Sequence, residues 1–471
     1  MLVRGTDQWH RFKQLPFNLT YNVSIFEVSN AEDVINKGDR PNLTEKGPYV
    51  YDEIIRKVNI VFNEDNETIT YQRKTELYFN QEISGPNLSE NDTVKMINPA
   101  YVAILQMVKM ILPEVILITT KKGIQSCMNA MFEDGLLMTN YTVRQLLFDG
   151  YKICDFNNKK CTVLGISLCK EFINRSKSIE EVIDKTTNEH YMKFSFLNYK
   201  IDLFDGVYNV ETGTEDINEV GNIKNWDYSN YSTFWGEDHN TCNVIKGTDG
   251  TLYAPHVTED SQIYAYSTDI CRNTKMEYNG PGSYKDIEGY YFRTSPTMFN
   301  SSDPPNDCFC INQTMGVDGK PTCFLDGVMD MYPCMGAPVL LSYPHFLYAN
   351  PKYVNALDGD IKPDPKKHEL FVLLDKYLGV PLEGHKRAQM NIVLRPISEF
   401  KKVTGKLPQT VLPIIWIDEG LELPPVGMDM INNLFYNTLK LVNILKWTFI
   451  GITFGLTVIS CILLYNHLYS S

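Results

Sequence analysis

The chain has 471 residues, a formal net charge of −13 and 43% hydrophobic residues. That acidic balance, with no run of Lys or Arg, excludes nucleic-acid binding of the usual electrostatic kind. The apolar and aromatic content excludes wholesale disorder and is sufficient for one large folded body or two to three domains.

The first hundred residues read as β-structure. Residues 18–27 (NLTYNVSIFE) alternate polar and apolar side chains, as a half-buried strand does. Tyr49-Val50-Tyr51 opens a second strand behind Lys46-Gly47-Pro48. Residues 57–62 and 68–79 predict a hairpin across 63–66. Residues 98–119 are apolar almost all round, with Gln106, Lys109 and Glu114 the main exceptions. Candidate glycan acceptors at Asn91 and Asn140 flank this stretch, and a single membrane crossing would separate them. It therefore predicts two packed helices bent at Pro113. Helical character continues over 121–132 and 142–148. This apolar cap either packs as core or meets ligand or membrane.

Cys154, Cys161 and Cys169 predict one bridge among themselves or with Cys127, with connectivity open. Ser178-Ile179-Glu180-Glu181 has the capping-box pattern and predicts a short helix. Cys242, Cys271, Cys308, Cys310, Cys323 and Cys334 fall in a region rich in Gly, Pro and Asp, with a tight turn at Gly247-Thr248-Asp249-Gly250. Their irregular gaps and the lack of a nearby His pair favour disulfides over zinc.

Strands return over 338–343, 368–376, 387–396 and 410–417. The last contains a nearly continuous apolar run, as for a strand buried on both faces. Residues 428–446 predict a helix leading into 447–465, WTFIGITFGLTVISCILLY, which holds no charge. As a helix it reaches roughly 28 Å, the thickness of a bilayer core. Trp447 and Tyr465 bracket it as interfacial aromatics do. Gly451 and Gly455 give a weak helix-pairing signal.

N-x-S/T acceptors stand at Asn18, Asn22, Asn42, Asn66, Asn87, Asn91, Asn140, Asn174, Asn230, Asn300 and Asn312. All precede the span, as do ten of the 11 Cys. Residues 1–440 are therefore expected on the extracellular or luminal side and 466–471 as a short cytoplasmic tail. The opening residues lack an apolar signal segment, so a hydrophobic anchor is expected to precede this stretch.

Catalytic motifs are missing. Gly165-Ile166-Ser167-Leu168-Cys169 lacks the final glycine of G-x-S-x-G, and Asp358-Gly359-Asp360 lacks the later carboxylates of a calcium loop. The eight His are scattered. Asp418-Glu419 reads as a solvated acidic pair. No enzyme, metal or cofactor is expected.

Several motifs then stand in a shared order. They are Cys242-Asn243 with Gly247-Thr248-Asp249-Gly250, Asp269-Ile270-Cys271-Arg272, Cys308-Phe309-Cys310, Cys323 and Cys334. LSYPHFLYA at 341–349, Pro413-Ile414-Ile415-Trp416 and Lys46-Gly47-Pro48-Tyr49 complete the set. In these the chain closely resembles the class B scavenger receptor family, over nearly its whole length. Ile417-Asp418-Glu419-Gly420-Leu421 is most similar to the insect branch, the sensory neuron membrane proteins.

The resemblance implies an α+β fold: a large β-rich ectodomain around an irregular antiparallel barrel, an apical helical bundle at 98–148, and a C-terminal transmembrane helix. It implies bridges Cys242–Cys308, Cys271–Cys334 and Cys310–Cys323 within the disulfide-rich region 242–334. Cys154, Cys161 and Cys169 are additional to the mammalian pattern. It implies a plasma-membrane receptor, rather than a lysosomal one, that binds fatty acids, lipids or lipid-derived odorants and passes them through an internal tunnel to the membrane. The alternative is recognition of particles, pathogens or protein cargo without lipid transfer. The expected partners are lipid-like small molecules, the membrane and co-receptor proteins, with no nucleic acid. Where the mammalian receptors carry a basic apical patch, this chain has Phe132-Glu133-Asp134-Gly135. Lys109, Lys121 and Lys122 are then the nearby cations for a fatty-acid carboxylate.

Overall fold

The computed structural model describes residues 1–63, 67–112, 126–127, 132, 135–158, 163–201, 203–236 and 241–469. Eleven strands form one antiparallel path: Leu19–Val28 (β1), Asn42–Phe62 (β2), Thr68–Phe79 (β3), Phe204–Glu211 (β4), Ile223–Trp226 (β5), Ile263–Ser267 (β6), Arg272–Tyr284 (β7), Ile287–Thr294 (β8), Phe371–Asp375 (β9), Pro381–Leu394 (β10) and Thr410–Glu422 (β11). Their spatial order is β5-β4-β3-β2-β1-β11-β10-β9-β8-β7-β6. The alternating residues of β1 thus lie at the centre, between β2 and β11.

The two edges meet through Gly247 and Thr248. The Ile223 N–H of β5 donates to Gly247 O at 2.8 Å; Thr248 N–H donates to Tyr264 O at 3.1 Å, and Tyr266 N–H returns to Thr248 O at 2.9 Å. This splice closes the sheet into an irregular barrel and satisfies edge groups that would otherwise invite another chain. Gly247 has φ +90°, and an added Cβ would lie 2.2 Å from Tyr264 O, so glycine is required here.

In β11, Val411 to Ile415 are all buried, in accord with the continuous apolar run. Pro413 faces Asn391 where β10 and β11 shift register. Proline has no amide to donate, and such an irregularity is where a central strand tolerates it.

The helix Pro99–Ile111 starts at Asn98, whose side chain accepts from Tyr101 N–H at 3.0 Å, with Pro99 in the first turn. Its residues from Ala100 to Val108 are mostly buried, and the Gln106 amide donates to Val393 O at 2.8 Å. This part of the apolar cap is therefore core. The bend at Pro113 and the helix over 121–132 lie, but for scattered positions, outside the described residues.

One local reading is corrected. Residues 178–181 form no helix: Ile179–Asp184 is a strand paired with Glu189–Phe194. Ile179, Val182 and Ile183 are β-branched, and pairing supplies backbone hydrogen bonds that a lone helical turn would nucleate at a loss. The helical character expected over 142–148 is present from residue 143 onward, ending in the π turn Gln145–Asp149; Thr142 itself closes the strand Leu137–Thr142.

The chain divides into two compact units, Met1–Glu422 and Leu423–Ser471. In the second, Pro425–Tyr469 is helical throughout, long and apolar enough to cross a membrane, and none of its most apolar stretch is buried. Trp447 and Phe454 are 67% and 71% exposed. The Thr448, Thr453 and Thr457 hydroxyls donate to carbonyls one turn back, so their polarity is satisfied within the helix.

Candidate functional site

The barrel wall carries a face that an apolar core would not. Direct cross-strand pairs set Tyr21 opposite Tyr51 and Glu419, Lys386 opposite Glu419, Lys57 opposite Arg73, and Tyr71 opposite Tyr208. Paired side chains share a face, and Glu53 joins it two residues after Tyr51. On this face Lys57 is 3.0 Å from Asp249, and Arg73 is 2.6 Å from Asp205. Lys200 lies 3.1 Å from Asp269 and 3.5 Å from Glu419; Lys386 lies 3.0 Å and 3.2 Å from the same two acids. Asp249 directly follows the Gly247-Thr248 splice, so closure of the barrel itself delivers this carboxylate.

Among the described residues of this face the charges balance except at Glu53. Burial works to raise Glu419, yet Lys386 and Lys200 hold its carboxyl down at about 2. Burial likewise opposes ionisation of Asp249, but Lys57 and Arg73 hold it below the usual carboxylate range. Glu53 is 1% exposed, its Oε2 has no hydrogen-bond partner, and among the described residues it makes no ion pair. Burial first, and Glu419 second, push its carboxyl up to about 8. Both effects favour its protonated form.

Asp418 and Glu419 are not a solvated pair. Both lie in β11, where consecutive side chains point to opposite faces of a wall covered on both sides. Glu419 joins the lining just described. Asp418 accepts from His385 Nδ1 at 2.8 Å and Arg387 Nε at 3.0 Å, and is 7% exposed.

The disulfide-rich region is tied by Cys242–Cys308, Cys271–Cys334 and Cys310–Cys323, with Cα separations of 5.9, 5.8 and 5.6 Å. Cys154 is bonded to Cys169 across 6.4 Å between Cα atoms. Cys127 is also disulfide-bonded, and Cys461 in the long helix is free.

Of the apical cations, Lys109 faces Glu399 at 3.5 Å and is about one-quarter exposed. Lys121 and Lys122 lie outside the described residues. Among the sequons, Asn18, Asn42, Asn87, Asn91, Asn140, Asn174, Asn230 and Asn312 are exposed; Asn22 and Asn300 are half-buried, and Asn66 lies outside the described residues.

The sequence reading missed the charged lining. Tyr51, Glu53 and Lys57 share one parity of β2, and Tyr71 and Arg73 one parity of β3. That parity was the available signal, but a polar lumen and a solvent face produce the same alternation.

The CD36 family model, that of the class B scavenger receptors, matches residues 1–464. Sensory neuron membrane protein 2 of Anopheles gambiae is 30% identical, with 97% of this chain and 86% of that protein covered. Sensory neuron membrane protein 2 of Aedes aegypti is 31% identical, covering 96% and 90%. Sensory neuron membrane protein 1 of Helicoverpa assulta is 30% identical, covering 95% and 81%. With its β-rich body and long exposed apolar helix, the chain belongs to the CD36 family and is a scavenger-type receptor integral to the cell membrane.

Proposed function

We propose that the large unit faces the cell exterior, binds fatty acids, lipids or lipid-derived odorants, and passes them through an internal tunnel to the membrane. The observation that carries this reading is the family match over residues 1–464, in a chain whose helix Pro425–Tyr469 can anchor it in lipid. Multiple disulfides and eight exposed sequons are consistent with an oxidising exterior. The driving force is transfer of alkyl chain out of water, about 0.8 kcal/mol per methylene, without a covalent step. Lys121 and Lys122 are the carboxylate contacts in this reading. Lys109 is a poorer one, because its ammonium already faces Glu399.

A fluorescent fatty acid titrated against the purified chain, and its uptake by cells expressing the chain, tests the proposal. Lys121→Ala with Lys122→Ala is expected to weaken both while particle binding persists. No binding of the apolar probe to the wild type would refute lipid capture. Lost particle binding with unchanged lipid uptake would favour a recognition receptor for particles, pathogens or protein cargo.

A further inference from the structure

Arg272 is buried, and among the described residues no carboxylate lies against it. It follows Cys271 of the Cys271–Cys334 bridge and is 6% exposed. Its guanidinium sits over the Phe309 ring, 3.8 Å from the centroid. Nε donates to Asn273 O at 3.3 Å, Nη1 to Met298 O at 3.0 Å and Met329 Sδ at 3.4 Å, and Nη2 to Asn306 Oδ1 at 3.1 Å. These bonds use four of the five guanidinium N–H groups. The fifth has no acceptor, and the charge no ion-pair partner, among the described residues.

Arg272 and Asn306 border a small pocket of about 20 Å³, also lined by Cys310 and Cys323. That is room for one water or one monoatomic ion. Asn300 also borders it, and its Oδ1 is buried without a donor among the described residues. A half-turn of the Asn300 amide exchanges oxygen for nitrogen and offers N–H groups to the same space. Asp330 is the acid on this lining. Its Oδ1 accepts from Tyr332 N–H at 3.0 Å, and burial raises its carboxyl toward the neutral form.

We propose that this cavity binds a small monovalent anion of halide size, chloride in extracellular fluid, held by the spare N–H of Arg272 and the Asn300 amide. A buried cation without a partner is costly, and a bound anion removes that cost at this point. The ion would fasten the segment from Met298 to Cys310 against Cys323 to Asp330, inside the disulfide-rich region.

Thermal unfolding of the full chain in detergent tests the site, with sodium chloride exchanged for sodium gluconate at constant ionic strength. The melting temperature is expected to rise with chloride and saturate. Arg272→Lys loses the forked donor set and should raise the half-saturating concentration about tenfold. Asn300→Asp places a negative charge on the cavity and should abolish the dependence. Crystals grown in bromide should show anomalous scattering at the Arg272 guanidinium. If Arg272→Lys does not fold, Asn300→Asp and the bromide signal decide. A wild-type melting temperature indifferent to chloride, a dependence unchanged by the variants, or a cavity holding only water would overturn the proposal.

Discussion

Lys57 and Asp249 meet at 3.0 Å with each side chain 3% exposed. The pair joins β2 to the residue that follows the barrel splice. Lys57 also donates to Thr251 Oγ1 at 2.6 Å, and its ammonium lies 4.1 Å from the Phe12 ring centroid. Removing one member of a buried pair strands the other charge, which typically costs about 3–5 kcal/mol. Asp249→Asn is expected to destabilise the chain by that order, read as a lowered denaturation midpoint. Asp249→Leu combined with Lys57→Met should recover much of the loss. An Asp249→Asn chain as stable as wild type would disprove the role given to this pair.

Glu53 and Glu419 respond to pH in opposite directions. The unfolded Glu53 carboxyl ionises near 4.5, while the folded one holds its proton up to about 8. Its contribution is full below pH 4.5 and is lost as pH rises through 8, at roughly 1.4 kcal/mol per unit between them. The Glu419 carboxyl is held down at about 2, so its contribution is present above 4.5 and is lost as pH falls through 2. Glu53→Gln should therefore flatten the alkaline limb of the stability profile and leave the acid limb in place. Parallel alkaline limbs in wild type and variant would contradict this.

Gly247→Ala should damage barrel closure. The new methyl would meet Tyr264 O at 2.2 Å, in a backbone conformation with φ +90°. Strain of this kind costs about 1–3 kcal/mol before the clash is added. Hydrogen exchange should quicken at Thr248 and Tyr266, the amides of the splice, more than at the centre of β1. Equal exchange at the two places would show that the splice is not where the strain falls.

Glycans are expected on the exposed acceptors, Asn18, Asn42, Asn87, Asn91, Asn140, Asn174, Asn230 and Asn312. Asn22 lies mid-strand between Val50 and Asp418, and Asn300 borders the Arg272 cavity. Both should be poorly occupied. Glycopeptide mapping of the large unit checks this, and full occupancy at Asn22 would mean that its side chain lies more open than the fold places it.

The bridge Cys154–Cys169 closes a 15-residue separation and ties the strand Tyr151–Asp155 to the helix Val163–Arg175. Replacing both with Ala should lower stability by about 3 kcal/mol on the loop-entropy account. Non-reducing peptide maps should recover the two half-cystines together. Recovery of either one with another partner would displace this assignment.

Some of this was legible residue by residue. The span at 447–465 follows from uncharged length. The strands of β1, β3 and β11 follow from alternation or from a continuous apolar run, and the hairpin of β2 and β3 from the polar residues between them. The motifs from Cys242 to Cys334 indicated the family. These signals are local, since each rests on what a short stretch must do with its own backbone and side chains.

Other features depended on neighbours distant in the chain. The capping pattern at Ser178 yielded to pairing with Glu189–Phe194. Asp418 and Glu419 became buried partners of Arg387 and Lys386 because β10 lies beside β11. Whether the parity of Glu53, Lys57 and Arg73 faces water or a lumen is decided only when Gly247 and Thr248 join β5 to β6. Alternation fixes that two faces differ, whereas closure, a contact between segments remote in sequence, fixes which of them is inside.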